Sequence, residues 1–280
     1  VQGRAMQTEP TLEARYAEVR ERIARAAGRS GRRPEQVILI AVTKNAESDD
    51  VRALLELGHR DFGENRVQPL LQRQAMVEEF AARLRALPHA RQGRTARDAE
   101  SILTGRANGA DGPGPVRWHM IGHLQRNKVR RIIGSVRLIH SVDSLRLAEE
   151  IQTSALKRDT PVEVLVQVNC SGEAQKFGCP IAAALPLAEQ IETMVNVRVR
   201  GLMTMAAYSE DPEDARPTFA RCRELFEEFR TAGIGEGRFD LLSMGMTGDF
   251  EVAIEEGANL IRVGTAIFGP PKHDAEVGED

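Results

Sequence analysis

The feature that most constrains this chain is a repeat of short apolar runs, each followed by a segment of helical character. From Val37 the runs read VILIAVTK, RDFG, VRWHMI, VRLIHSV, VEVLVQVN, VRVRGLMTM, FDLLSMG and NLIRVG, eight in all. Helical patterns separate them, among them SLRLAEEIQTSAL, AAALPLAEQIETM, PTFARCRELFEEFRTAG and DFEVAIEEGA. Strands that are apolar throughout are buried on both faces, which implies a parallel sheet covered by helices. Eight such units in 280 residues favour closure into a single (β/α)8 barrel of the TIM type, in the α/β class, over an open doubly wound sheet.

One further helix precedes the first strand. In TLEARYAEVRERIARAAG, Leu12, Tyr16, Val19, Ile23 and Ala27 recur at helical spacing and Gly28 stops the pattern. In a closed barrel this extra N-terminal helix is expected to fill the place after the last strand. Residues 1–10 lack the apolar core of a signal peptide and are expected to form a disordered tail, with a second tail at 271–280. Residues 11–270 then form one barrel domain. It is interrupted at about 85–115, where a stretch rich in Gly, Pro, Arg and Asp reads as an exposed insertion.

Composition narrows the function classes. A net charge of −3 carries no polyanion-binding signal, so RNKVRR at 126–131 reads as the solvated face of a helix and no nucleic acid is expected. No apolar run is long enough to cross a membrane. Three cysteines without a CxxC pair argue against a disulfide framework and a cysteine-based zinc site, and point to a reducing cytoplasm. Cys170 stands at a strand end, but no base is identifiable beside it, so it reads as a structural thiol.

Reactive groups in such a barrel sit where strands run into the following loops. Lys44 ends the first run and shares its face with Val42, Ile40 and Ile38. If that face points into the barrel, the amine is partly desolvated, which favours the neutral form that attacks carbonyls. SMGMTGDFEVAIEEG places Gly245, Thr247 and Gly248 before a helix, and RVGTAIFG places Gly264 and Thr265 just after the eighth strand. Small residues, hydroxyls and free backbone N–H groups at those two places suit a phosphate. Arg262 lies inside an apolar strand, so it either pairs with a carboxylate or presents its donors to a ligand. Amine, anion site and buried donor match the aldehyde, phosphate and ring nitrogen of pyridoxal 5′-phosphate. A Schiff-base aldolase on a phosphate-binding barrel is the alternative outside that cofactor.

The motifs AVTK, FGENRVQ, WHMIGHLQRNK, VNCSGEAQKFG, RGLMTM, SMGMTGDFEVAI and IRVGTAIFG occur in an order that resembles the YggS/PROSC family, the pyridoxal phosphate homeostasis proteins, from about Leu12 to Gly269. The resemblance implies a barrel of the alanine racemase N-terminal type with Lys44 as the Schiff-base lysine. It also implies that Asn65 and His119 line the cofactor pocket, that Ser243, Thr247, Gly264 and Thr265 hold the phosphate, and that Arg262 faces the pyridine nitrogen. The family has serine and aspartate more often than Thr247 and Gly248, and tyrosine is common at Arg66. Lys176 stands where the family also carries a lysine, which raises a second cofactor site against a solvated side chain. Function by this resemblance is intracellular carriage and buffering of the cofactor without turnover, with apo-enzymes of pyridoxal phosphate as recipients and a monomer as the expected state. The rival is an amino-acid racemase or decarboxylase; related barrels of that kind use an additional C-terminal β-domain, whereas only PPKHDAEVGED follows the last motif.

Overall fold

The computed structural model describes residues 10–86, 115–173 and 177–270. The two tails, nearly all of the 85–115 insertion and Lys176 lie outside the described residues. Helix α1 (Leu12–Arg29) comes first, its N-terminus capped by Thr11, whose hydroxyl accepts from the Ala14 amide at 3.3 Å. β1 (Ile38–Val42), α2 (Ser48–Glu56), β2 (Asp61–Glu64) and α3 (Val67–Ala86) follow. After the undescribed segment come β3 (Arg117–Met120), the one-turn α4 (Val129–Ile132), β4 (Leu138–Val142) and α5 (Leu145–Leu156). The chain continues through β5 (Val162–Asn169), a two-residue β6 (Cys179–Pro180), α6 (Ile181–Glu192), β7 (Val197–Met203) and α7 (Arg216–Thr231). It ends with β8 (Leu241–Ser243), α8 (Phe250–Glu255), β9 (Leu260–Val263) and α9 (Thr265–Phe268).

Every strand pairing is parallel, and contact between β4 and β5 closes the sheet into a ring of eight. β6 is an addition that pairs only with the end of β5. It escapes the sequence pattern because two residues in a glycine-rich loop carry no alternation. α1 lies over the two short helices after β8 and β9, as expected of a helix completing the outer layer. Arg15 donates to the Ile267 carbonyl at 2.7 Å, and Arg22 grips Glu251 through two bonds of 2.9 and 2.6 Å.

Alternation along each strand divides the core in two. Leu39, Ala41, Phe62 and Trp118 face outward to the helices. Ile40, Leu138, Leu165, Met203 and Leu260 fill the barrel interior, each 1% exposed or less. At the N-terminal end, Arg117 pairs with Asp61, and Glu163 accepts from both Arg137 and Arg200, so ion pairs form the floor. A cavity at that end is lined by Glu163, Glu192, Arg198 and Arg200, whose polar groups are taken by one another or by backbone. It is part of the floor.

The tightest approach in the ring is at Gly201, where β7 meets both β5 and β8. The register shifts there, and a Cβ on Gly201 would stand 1.6 Å from the Leu241 carbonyl oxygen. Backbone cannot retreat from a paired neighbour, so Gly201→Ala is expected to lower the unfolding free energy by about 3 kcal/mol, read as a shifted urea midpoint; an unchanged midpoint would contradict this packing.

Candidate functional site

Above the floor, a line of hydrogen bonds crosses the barrel interior. Arg117 donates to both oxygens of Asp61 at 2.7 and 2.6 Å. His119 Nε2 lies 3.2 Å from Asp61, His119 Nδ1 lies 3.0 Å from His140 Nε2, and His140 Nδ1 lies 3.0 Å from Ser243 Oγ. Arg262 completes the line through Nη1, which donates to Ser243 Oγ at 2.5 Å, while its Nη2 donates to the Thr204 carbonyl at 3.0 Å. The strands bring these groups together because all stand on inward-facing positions: Ile40 pairs with Arg262, Gly63 with His119 and Met203 with Ser243.

One assignment of protons satisfies every member. Asp61 as a carboxylate only accepts, so His119 donates from Nε2 and accepts at Nδ1. His140 then donates from Nε2 and accepts at Nδ1 from the Ser243 hydroxyl, whose oxygen accepts from Arg262. His140 is neutral in this arrangement. Burial, with His119 and Arg262 beside it, holds His140 well below the ordinary imidazole range. Burial alone would raise Asp61, but the hydrogen bonds from Arg117 and His119 outweigh it and hold the carboxyl well below its usual range. Burial pushes Arg262 down to about 10, so it is a cation at neutral pH. Its direct partners are a hydroxyl and a carbonyl, and among the described residues no carboxylate stands within ion-pairing distance of it. Those two bonds use two of a guanidinium's five donors, so the head group retains hydrogens for another acceptor.

At the C-terminal mouth the loops after β8 and β9 meet. The Gly264 amide donates to the Thr247 hydroxyl at 3.4 Å, and Thr265 begins the following helix. A Cβ on Gly264 would come 3.3 Å from the Val42 carbonyl, so this turn lies against the end of β1. Gly245 has φ +88° and a Cβ there would stand 2.6 Å from Ala253, which leaves only glycine at the start of the loop. Around Gly248, by contrast, a Cβ would find open space.

Lys44 stands two residues beyond the end of β1, in the turn closed by the Ala46 amide on the Thr43 carbonyl at 3.0 Å. Its side chain is exposed. The desolvation expected from strand alternation is therefore absent, because the strand ends at Val42 and the turn carries the lysine out of the barrel. Thr43 fixes this turn: its amide donates to the Gly63 carbonyl at 3.0 Å and its hydroxyl to Glu64, a buried carboxyl that burial raises in pKa. Asn65 is exposed on the neighbouring loop, and Gly122 packs on its backbone so closely that a Cβ would lie 2.3 Å from the Asn65 carbonyl oxygen.

The expected residues thus divide into two sets. Lys44, Asn65, Thr247, Gly264 and Thr265 surround the mouth, whereas His119, Ser243 and Arg262 belong to the interior line. Ser243 differs from expectation: it is fully buried and its hydroxyl hydrogen is committed to His140, so in this arrangement it holds Arg262 rather than reaching for an anion. His119 likewise has both nitrogens engaged. His140 and Thr204 are members of this line that sequence reasoning misses. The signal for His140 is its shared face with Leu138 in LIHSV, the same inward polar position that marks Arg262 in NLIRVG. Accessible amine, anion-suited loops and a buried cation with donors to spare fit a group with an aldehyde, a phosphate and an accepting ring nitrogen.

The sequence profile of the alanine racemase N-terminal domain matches residues 15–271. The pyridoxal phosphate homeostasis protein of Aquifex aeolicus is 37% identical over 261 residues, which is 92% of this chain and 98% of that protein. A crystal structure of a Bifidobacterium adolescentis protein superposes with a TM-score of 0.77 at 35% identity, covering 92% of this chain and 94% of the other. PipY of Synechococcus elongatus, solved with pyridoxal phosphate bound, gives a TM-score of 0.65 at 31% identity over 88% of this chain and all of the other.

The buried histidines make the stability depend on pH. Burial lowers His59 to about 4 and His140 well below its ordinary value. Groups depressed in this way stabilise the fold fully above their unfolded value of about 6.5, and that contribution is lost as pH falls below it. The urea midpoint is expected to hold from pH 8 to 7 and to decline below pH 6.5, with a limiting slope of roughly 1.4 kcal/mol per pH unit for each histidine. A flat midpoint from pH 7 to 5 would contradict the neutral assignment.

Proposed function

Because the chain belongs to the pyridoxal phosphate homeostasis proteins, built on the alanine racemase N-terminal domain, we propose that it binds pyridoxal 5′-phosphate as a Schiff base on Lys44 and holds it for release, without turnover of its own. The observation that carries this reading is Arg262, a buried cation with neutral hydrogen-bond partners and donors to spare beneath the mouth. The relatives' names and the cofactor bound to PipY support the ligand's identity.

The chain's own residues divide the work. Lys44, exposed on a turn pinned by Thr43 and Glu64, offers its amine at the mouth. Thr247, Gly264 and Thr265 hold the phosphate by hydroxyl and backbone donors, and Asn65 lines the opposite side. Arg262 faces the ring nitrogen. When bound, the cofactor supplies an aldehyde for the lysine and a ring that can withdraw electrons. Arginine only donates, so the ring nitrogen opposite it must accept and stays unprotonated, which weakens that withdrawal. Ser243, His140, His119 and Asp61 keep the guanidinium in place and neutralise nothing, so its charge stays directed at the ligand. A weakened electron sink suits a carrier serving apo-enzymes of pyridoxal phosphate in the cytoplasm, acting as a monomer with residues 11–270 as one domain.

The test is a visible spectrum of the protein with pyridoxal phosphate, followed by borohydride reduction and peptide mapping, on wild type and Lys44→Ala. The expected result is a visible band and an adduct confined to Lys44, both lost in the variant, with Arg262→Leu binding at least tenfold more weakly. Scattered adducts would overturn the assignment of Lys44. Amino-acid racemisation or decarboxylation well above the rate with free pyridoxal phosphate would overturn the absence of turnover.

A further inference from the structure

Glu64 ends β2 and is fully buried, yet its carboxyl touches nothing that is expected to meet a ligand. Oε1 meets the Thr43 hydroxyl, and the backbone carbonyl of Glu64 accepts from the Ile121 amide at 3.0 Å. Oε2 is buried and has no hydrogen-bond partner among the described residues. Arg73, the charged group that faces the carboxyl from α3, donates through Nη2 to the Ala46 carbonyl instead. The neighbouring strands bring Thr43 and Met120 beside Glu64, and neither titrates.

A buried carboxylate with an unpaired oxygen is costly, whereas a neutral acid leaves only an unpaired carbonyl oxygen. The geometry therefore suits the neutral form. Burial raises the carboxyl in the same direction, against the opposing effects of Thr43, Arg73 and the Asn65 amide. Thr43 can serve either protonation state, because its hydroxyl lies between Glu64 Oε1 and the Gly63 carbonyl, the latter at 3.4 Å. It donates to an ionised Glu64; it accepts from a neutral one protonated at Oε1 and turns its own hydrogen to Gly63. Arg73 has no such freedom. Its bond to Ala46 closes the far end of the turn whose near end is Thr43, and the Ala46 amide donates to the Thr43 carbonyl at 3.0 Å. Lys44 lies between the two grips.

We propose that Glu64 is a positioning residue for Lys44, and that one proton on its carboxyl sets two states of the turn from Thr43 to Ala46. With Glu64 neutral, Arg73 stays on the Ala46 carbonyl and the turn is closed. When Glu64 gives its proton to water, the buried charge draws the guanidinium from Ala46 to Oε2, and the far end of the turn is released. A carboxyl raised by burial loses its proton above the usual glutamate range, so the closed turn belongs to the lower pH and the open one to the higher. Faster exchange of what Lys44 holds follows in the open state, and that step alone rests on the reading of Lys44 as the cofactor lysine.

The test compares wild type with Glu64→Gln, which keeps the shape of the neutral acid, from pH 5 to pH 9. In the ligand-free protein, hydrogen–deuterium exchange at the Ala46 amide is expected to match in the two at pH 5 and to be roughly fivefold faster in wild type at pH 9. Comparison at equal pH cancels the base catalysis common to both. Arg73→Met is expected to exchange fast throughout. In protein loaded with pyridoxal phosphate, transfer from Lys44 to semicarbazide, followed as loss of the visible band, is expected to diverge in the same way. A ratio of wild type to Glu64→Gln that stays at one across the range overturns the proposal, as does faster exchange in the variant at pH 5. Where the variant folds poorly, wild type decides alone: protection of the Ala46 amide must fall with rising pH relative to the Thr43 amide, which is bonded to Gly63, and a constant ratio overturns the proposal. Failure to form an adduct on Lys44 would strike the cofactor reading and leave the amide exchange to judge the turn.

Discussion

The arrangement of the barrel interior depends on one charge, eased by Asp249 from a distance but without a carboxylate at ion-pairing distance among the described residues. Arg262 is buried among apolar strands, and its immediate partners are the Ser243 hydroxyl and the Thr204 carbonyl. Hydrogen bonds from a charged donor contribute about 1.5–3 kcal/mol each, whereas removing a cation from water costs several kcal/mol even after relaxation. Two neutral acceptors leave part of that cost standing. A protein concerned with stability alone would place a carboxylate there, as it does on the floor, where Asp61 meets Arg117 and Glu163 meets Arg200. The same barrel therefore contains both arrangements, and the one at Arg262 takes two of the five guanidinium hydrogens with neutral acceptors.

The line from Arg262 to Asp61 explains how the charge is held without being neutralised. Each member donates toward Asp61, so the negative end of the line sits at the floor, already paired, and the positive end sits beneath the mouth. His119 and His140 transmit orientation between them because each neutral imidazole has one donor and one acceptor to spend, and both are spent. Protonating His140 would place a second buried cation beside Arg262. Neutrality of His140 and availability of Arg262 are thus linked.

Much of this is legible in the sequence, and the part that is not has a common cause. The eight strands and their parallel order follow from apolar runs interrupted by helical periodicity, a local signal. Arg262 is marked by its own strand, since a cation within NLIRVG contradicts its neighbours. The partner of Ser243 is not legible in the sequence, because His140 lies 103 positions away and nothing in SMGMTGD reveals which way the hydroxyl turns. The exposure of Lys44 departs from expectation for a local reason: the alternation of VILIAVTK continues on paper past Val42, where the strand itself stops.

The division between interior and mouth also bears on how a held ligand could be given up. The interior line stands on strands, and apart from the spare donors of Arg262 its groups bond mainly to one another. The mouth is made of turns: Thr43–Ala46, the loop that begins at Gly245, and the turn at Gly264 that lies on the end of β1. Lys44 is exposed on the first of these. An amine already in water can meet a small acceptor amine or a water molecule without any rearrangement of the barrel, whereas a lysine sealed among apolar side chains could not. On the proposed reading, exposure of Lys44 favours exchange over retention, and the affinity would be set by Arg262 and the loops after β8 and β9.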